Sequence, residues 1–266
     1  MKRLIINSDD YGRSPDISRG IREAHLHGVV TSSTCMMNIP TTAEDIVVAV
    51  RETPKLGLGV HLVLTMGRPL SAPESVPSLV DEYGFFFKLS PLLERLPSLQ
   101  VEEVKKEWRA QIERFIQAAG RNPTHLDSHH HSSYFRPDLF RAMLEFAQEY
   151  GCAIRYPFSE PWQEMEEVSK FAPGIMQEYD LRKPDTFISN FYDETATLEH
   201  MLEILHNMKD GTHELMCHPG HVDQVFAERE SIYNFQRERE FDVLTDPAVK
   251  KAMEDNNIQL ISFADL

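Results

Sequence analysis

The most constraining feature of this chain is its rhythm: short apolar runs alternate with longer amphipathic segments from one end to the other. Strands are expected near 3–7, 30–36, 57–63, 124–128, 152–155, 185–189, 212–217 and 258–262, with helices at 16–27, 41–53, 99–119, 136–150, 194–208 and 246–256. Such alternation builds βα units around a parallel sheet. The expectation is therefore an α/β fold, a deformed (β/α) TIM-like barrel, either complete or one strand short. It is read as a single domain over 1–266, because no Gly/Ser-rich or charge-block linker divides the chain. Helix punctuation agrees: Ser14-Pro15-Asp16 reads as a helix start, and Gly28, Gly120 and Gly151 fall just past predicted helix ends. Two stretches, 64–98 and 156–184, break the rhythm. Both are rich in Pro with aromatic residues interleaved, and loops that long in a compact domain are usually functional walls or lids.

In a (β/α) barrel the loops at the C-terminal ends of the strands build the reactive mouth. Asp9 and Asp10 end the first predicted strand, His61 closes Gly57-Leu58-Gly59-Val60-His61, and His218 closes Glu214-Leu215-Met216-Cys217-His218. Between them His125-Leu126-Asp127-Ser128-His129-His130-His131 brings a dense imidazole run to another strand end. Alternation places His125 and Asp127 on one face and Leu126 on the other. Adjacent Asp9 and Asp10 cannot share a face in a regular strand, so they are expected in the bend after it. Taken singly, each feature has a plainer reading. An Asp pair before Tyr-Gly makes a turn or a helix cap, a histidine in an apolar run is a hydrogen-bonded core residue, and a histidine cluster on a loop binds adventitious metal. Their shared placement at strand ends favours a hydrolytic metal site, for which carboxylate and imidazole from separate strands are the required donors.

Composition narrows the partners. The formal charge of −15 opposes nucleic acid, whose binding needs clustered Lys and Arg. Cys35, Cys152 and Cys217 are odd in number and set in apolar runs, so they read as reduced core thiols. No apolar run is long enough to span a membrane, and acidic residues come too early for a signal peptide, so a cytoplasmic protein without membrane contact is expected.

The strings Asn7-Ser8-Asp9-Asp10-Tyr11-Gly12, Gly28-Val29-Val30-Thr31-Ser32-Ser33-Thr34, Gly59-Val60-His61-Leu62-Val63-Leu64-Thr65-Met66-Gly67-Arg68-Pro69-Leu70, Pro123 to His131 and Met216-Cys217-His218-Pro219 resemble the YdjC-like carbohydrate deacetylases of the chitooligosaccharide type. Ser8 and Tyr11 stand where that family often has Ala and Phe, and 156–184 matches poorly. The resemblance implies removal of acetyl groups from N-acetylglucosamine units of short chitin oligosaccharides such as diacetylchitobiose or its 6-phosphate. It also implies a divalent metal held by Asp10, His61 and His125, with Asp9 as general base and His218 as general acid, and a homodimer. Asp127 and His129 are expected just behind the ligands, where a carboxylate fixes an imidazole tautomer. Arg155 is expected either to bind a substrate phosphate or to orient Asp9, unless it makes a plain surface ion pair. Tyr83, Phe85, Phe86, Phe87, Tyr134, Phe135 and Trp162 are loop aromatics able to stack on sugar rings.

The family points to Mg²⁺, whereas imidazole-rich donors favour Zn²⁺, which stands as the alternative. Three other readings share these residues: another metal-dependent barrel enzyme acting on sugar phosphates, a two-His-one-carboxylate iron oxygenase, and a non-catalytic sugar or metal sensor.

Overall fold

The computed structural model describes residues 1–157, 166–222 and 233–266. Eight parallel strands form one curled sheet: β1 (Lys2–Tyr11), β2 (Ser32–Cys35), β3 (Gly57–Leu62), β4 (His125–Ser128), β5 (Ala153–Ile154), β6 (Thr186–Ile188), β7 (Gly211–Cys217) and β8 (Ile258–Leu260). The order is β5-β4-β3-β2-β1-β7-β6, and β8 pairs with the N-terminal part of β1. The sheet thus curls as a half-barrel, with no ladder joining β5 to β6 among the described residues. Each predicted strand has its counterpart.

The helices that cover the sheet are α1 (Pro15–His27), α2 (Thr42–Glu52), α3 (Leu89–Arg95), α4 (Val101–Ala119), α5 (Pro137–Tyr150), α6 (Glu166–Met176), α7 (Leu198–Asn207), α8 (Phe235–Thr245) and α9 (Pro247–Asp255). Ser14 caps α1 as expected, its hydroxyl accepting from the Ile17 N–H at 3.2 Å. Gly120 and Gly151 end α4 and α5 in the left-handed conformation. Gly28 does not (φ −113°); a Cβ there would lie 2.3 Å from the Leu244 carbonyl oxygen, so its role is close packing against α8. The unpredicted helices α3, α6 and α8 include two with an internal proline, Pro91 and Pro173, which hides a helix in sequence.

Strand alternation sorts the two faces of the sheet. Leu4 and Ile6 of β1 join the large apolar core beneath the helices, with Leu58, Val60 and Leu62 of β3 and Leu215 and Cys217 of β7. Ile5 faces the other way and packs with Ala153, Ile261 and Phe263 in a small separate cluster. That cluster is the apolar floor of the half-barrel. The residues above it with the same parity are polar: Asn7 and Asp9 on β1, His61 on β3, His125 and Asp127 on β4, Arg155 after β5 and Glu214 on β7, all buried.

The stretch 64–98 is anchored along its length. Buried Glu107 of α4 accepts the N–H groups of Leu70 (3.0 Å) and Ser71 (2.8 Å), Gln111 pairs with both backbone groups of Val63, and Asn38 donates to the carbonyls of Met66 and Arg68. It is a fixed wall, because its backbone polar groups are bonded to core side chains.

Candidate active site

Asp9 and Asp10 both point into the mouth although they are adjacent, and β1 itself makes this possible. Its register against β2 shifts between Ser8 and Tyr11, and Asp10 adopts φ +69°. The bulge spends one extra residue and rotates Asp10 inward, so the two acids lie within the strand rather than in a bend after it.

The two carboxylates meet different partners. Asp9 is clamped by Arg155, whose two terminal nitrogens lie 2.8 and 2.7 Å from its oxygens, and Asn7 adds an N–H at 2.9 Å. Burial raises the Asp9 pKa, but the Arg155 guanidinium outweighs it and holds the carboxyl far below the usual range. Arg155 also bonds Glu214 (2.8 Å) and approaches Asp127 (3.0 Å), so one fully buried cation serves three carboxylates. This removes the surface-pair reading of Arg155, and its planar donor fork suits the bidentate geometry. Burial lifts Glu214 to about 8 despite Arg155, and its second oxygen has no hydrogen-bond partner.

Asp10 turns its Oδ2 toward Arg237 of α8 and toward Arg13, 3.0 Å away. Burial raises its pKa, and those two cations more than reverse the effect. Its Oδ1 is buried without a hydrogen bond, 3.6 Å from His61 Nε2 and 3.4 Å from His129 Nδ1. These three donor atoms all lie within 4.8 Å of one another. His61 Nδ1 is 2.7 Å from Asp127 Oδ1, so its proton goes to the carboxylate and the lone pair at Nε2 faces Asp10. Burial lowers the His61 pKa but Asp127 outweighs it, while burial prevails at His129 and lowers that pKa. One carboxylate oxygen without a partner facing two imidazole nitrogens fits a divalent metal. A second group, Asp9, His61 and Asp127, is equally compact, but its carboxylates already hold Arg155.

His125, expected among the ligands, lies one level deeper. Its ring stacks on Phe263 at 3.8 Å and lies against Gly59, where a Cβ would approach the ring to 2.6 Å. Asn7 donates to Asp9, so the Asn7 Oδ1 must accept from His125 Nε2 (2.9 Å), and Nδ1 faces the Thr124 hydroxyl at 2.8 Å. Both ring nitrogens are thereby engaged, and burial pushes the pKa well down. Of the residues implied as ligands, Asp10 and His61 lie together with His129, which was expected behind them, while His125 reaches Asp9 through Asn7.

His218 stands across the mouth, with Nε2 4.0 Å from Asp9 Oδ2 and Nδ1 4.0 Å from Glu240 Oε1. Burial lowers its pKa to about 4. Glu240 of α8 accepts the His218 backbone N–H and the Tyr233 hydroxyl, and burial raises it to about 7. The rings of Tyr192 and Tyr233 stack at 4.6 Å, each edge-on to His218. Helix α8 therefore holds Asp10 through Arg237 and His218 through Glu240, and sequence reasoning missed it. The available signal was the spacing: Arg237 and Glu240 are three residues apart, on the same face as Val243 and Leu244. Of the expected sugar-stacking aromatics, Tyr134 and Phe86 are buried, Tyr83 and Phe85 are exposed, and Trp162 lies outside the described residues. No helix among the described residues is long and apolar enough to cross a membrane.

Against known proteins, residues 3–255 match the family described as YdjC-like protein. A protein of Brevibacillus brevis named carbohydrate deacetylase is 37% identical over 99% of both chains, and one of the same name from Thermoanaerobacter pseudethanolicus is 35% identical over the whole of both. A solved structure from Enterococcus faecalis, described as a cellobiose-phosphate cleavage protein, is 36% identical and superposes with a TM-score of 0.88 over 99% of this chain and 98% of that one. A family 4 carbohydrate esterase from Streptomyces lividans, solved with acetate, shares the fold at TM-score 0.54 with 8% identity, covering 97% of this chain and 91% of that one. With a family match across nearly the whole sequence and relatives above one-third identity, this chain belongs to the YdjC-like family.

Proposed function

We propose that the protein is a carbohydrate deacetylase that hydrolyses the acetamide of N-acetylglucosamine units in short chitin oligosaccharides, diacetylchitobiose or its 6-phosphate, and releases acetate. The observation that carries this reading is the divergence of one dipeptide. Asp10 presents an oxygen without a hydrogen bond to two imidazoles, while Asp9 beside it is locked as an anion facing His218. The names of the relatives agree with it.

In this reading Asp10 Oδ1, His61 Nε2 and His129 Nδ1 hold a divalent ion. A divalent ion held by these three residues would supply Lewis acidity toward the acetyl oxygen and would lower the pKa of water. Asp9 is the general base. A carboxylate so strongly stabilised by Arg155 is ionised throughout the working range and stands ready to accept a proton from water. His218, neutral near pH 7, must receive a proton before it can give one to the leaving amine, and Asp9, 4.0 Å from its Nε2, can hand on the proton it takes from water. Glu240 and the two tyrosines hold the imidazole in place for that transfer. Mg²⁺ is the metal that the family resemblance implies, whereas two nitrogens and one oxygen suit Zn²⁺ better.

The test is acetate release from diacetylchitobiose and its 6-phosphate by metal-stripped protein resupplied with Mg²⁺, Zn²⁺ or Mn²⁺. Metal-dependent acetate that disappears in Asp9→Asn and His129→Ala supports the reading and ranks the ions. Absence of acetate with every ion, while sugar still binds, overturns it in favour of a different sugar reaction or a sensor.

A further inference from the structure

A cleft of about 450 Å³ is walled by residues of the 64–98 segment together with Arg13 and Ile39. Two residues join it to the site. Arg13 lines the cleft and reaches Asp10, and Thr65 lines it and sits 3.0 Å from Nδ1 of His130, whose ring stacks on His129 at 3.9 Å. The far wall carries Phe85 and Phe87, with Asp81 and Lys88 beside them. Phe85 is 42% exposed, and the Arg68 guanidinium covers one face of its ring at 3.9 Å.

This wall is built rather than incidental. Asp81 Oδ1 accepts the N–H groups of Tyr83 (2.9 Å) and Phe85 (3.0 Å), and Gly84 takes φ +75° to close the turn. Phe86 is buried and donates its N–H to the Gly67 carbonyl at 2.9 Å, which fixes its neighbour Phe85 at the rim. Aromatic rings interspersed with a few charged and hydroxyl groups suit a pyranose, whose C–H face packs on a ring while its hydroxyls bond to the polar groups. The volume lies within the usual small-ligand range of about 300–1,000 Å³.

We propose that this cleft is a sugar subsite that receives the pyranose ring next to the reacting N-acetylglucosamine, with Phe85 as the stacking residue that makes a disaccharide preferred over a monosaccharide. The assignment rests on the deacetylase reading for the orientation of the chain, but the subsite can be tested without catalysis. Calorimetry on metal-stripped protein should show that Phe85→Ala weakens binding of diacetylchitobiose by about tenfold, the size of one aromatic contact. Binding of N-acetylglucosamine should stay within about twofold, and Phe85→Tyr should restore the disaccharide affinity. With the metal returned, kcat/KM should fall in Phe85→Ala for the disaccharide alone. Equal losses on both sugars, or none on either, would overturn the subsite. A selective binding loss with no acetate release from the unaltered protein would keep the subsite and sink the deacetylase reading instead.

Discussion

Asp9 and Asp10 are chemically identical neighbours, yet the fold gives them opposite surroundings. Asp9 keeps its strand parity, points above the apolar floor and spends both oxygens on Arg155. Asp10 breaks parity through a bulge, gives one oxygen to Arg13 and Arg237, and leaves the other without a partner. The difference shows that the backbone, not residue type, divides anchored charge from available donor.

The sharpest break of that comparison is Asp9→Asn, which should lower kcat by about 10²–10⁴-fold, the usual worth of a general base, while calorimetry still finds the metal bound. Loss of metal together with activity would erase the distinction between the two acids. Next comes Arg155→Met, which strands buried Asp9, Asp127 and Glu214 without their shared cation. Denaturant titration should show a loss of about 3–5 kcal/mol, as for other buried pairs stripped of one partner. An unchanged midpoint would mean the clamp is not structural.

The metal side is sharpened by two histidines. Asp127→Asn should weaken metal binding about 10–100-fold by releasing His61, and His129→Ala should weaken it further. His125→Gln should retain the metal and lose thermal stability, since it removes a ring packed between Gly59 and Phe263. Metal loss in His125→Gln with retention in His129→Ala would return the ligand role to His125.

The smallest effect is a pH dependence. Glu214 is raised from its ordinary 4.5 to about 8, so the folded protein holds a proton there that the unfolded chain releases. Its contribution is fully present below pH 4.5 and is lost as pH rises through about 8. Glu214→Gln cannot ionise, so its melting temperature relative to the unaltered protein should climb between pH 5 and 9. A constant offset would show that Glu214 does not titrate in that window.

The inward face of β4 was legible in the sequence, because alternation put His125 and Asp127 on the side opposite Leu126, whereas Glu214 of β7 went unnoticed as part of the site. The depth along the strand was not. His125 and Asp127 share a direction about 7 Å apart along the strand, and His129 comes from the 3-10 turn His129–Tyr134 that follows β4. Neighbouring strands decide which level meets Asp10. The inward turn of Asp10 depends on a register shift against β2, which the sequence of β1 alone does not reveal. Helix α8 escaped for a related reason: its buried face carries Arg237 and Glu240 as counterparts to the site, which erases the apolar stripe by which helices are found.

The floor beneath the site joins distant parts of the chain. Phe263 seats His125, and β8 lies alongside residues 2–4 of β1. Synthesis runs from the N-terminus, and a domain folds as a unit. A growing polypeptide thus holds His125 well before the Phe263 ring on which it stacks has been added. The seat of His125 is therefore completed only when the last strand and the turn after it join the sheet.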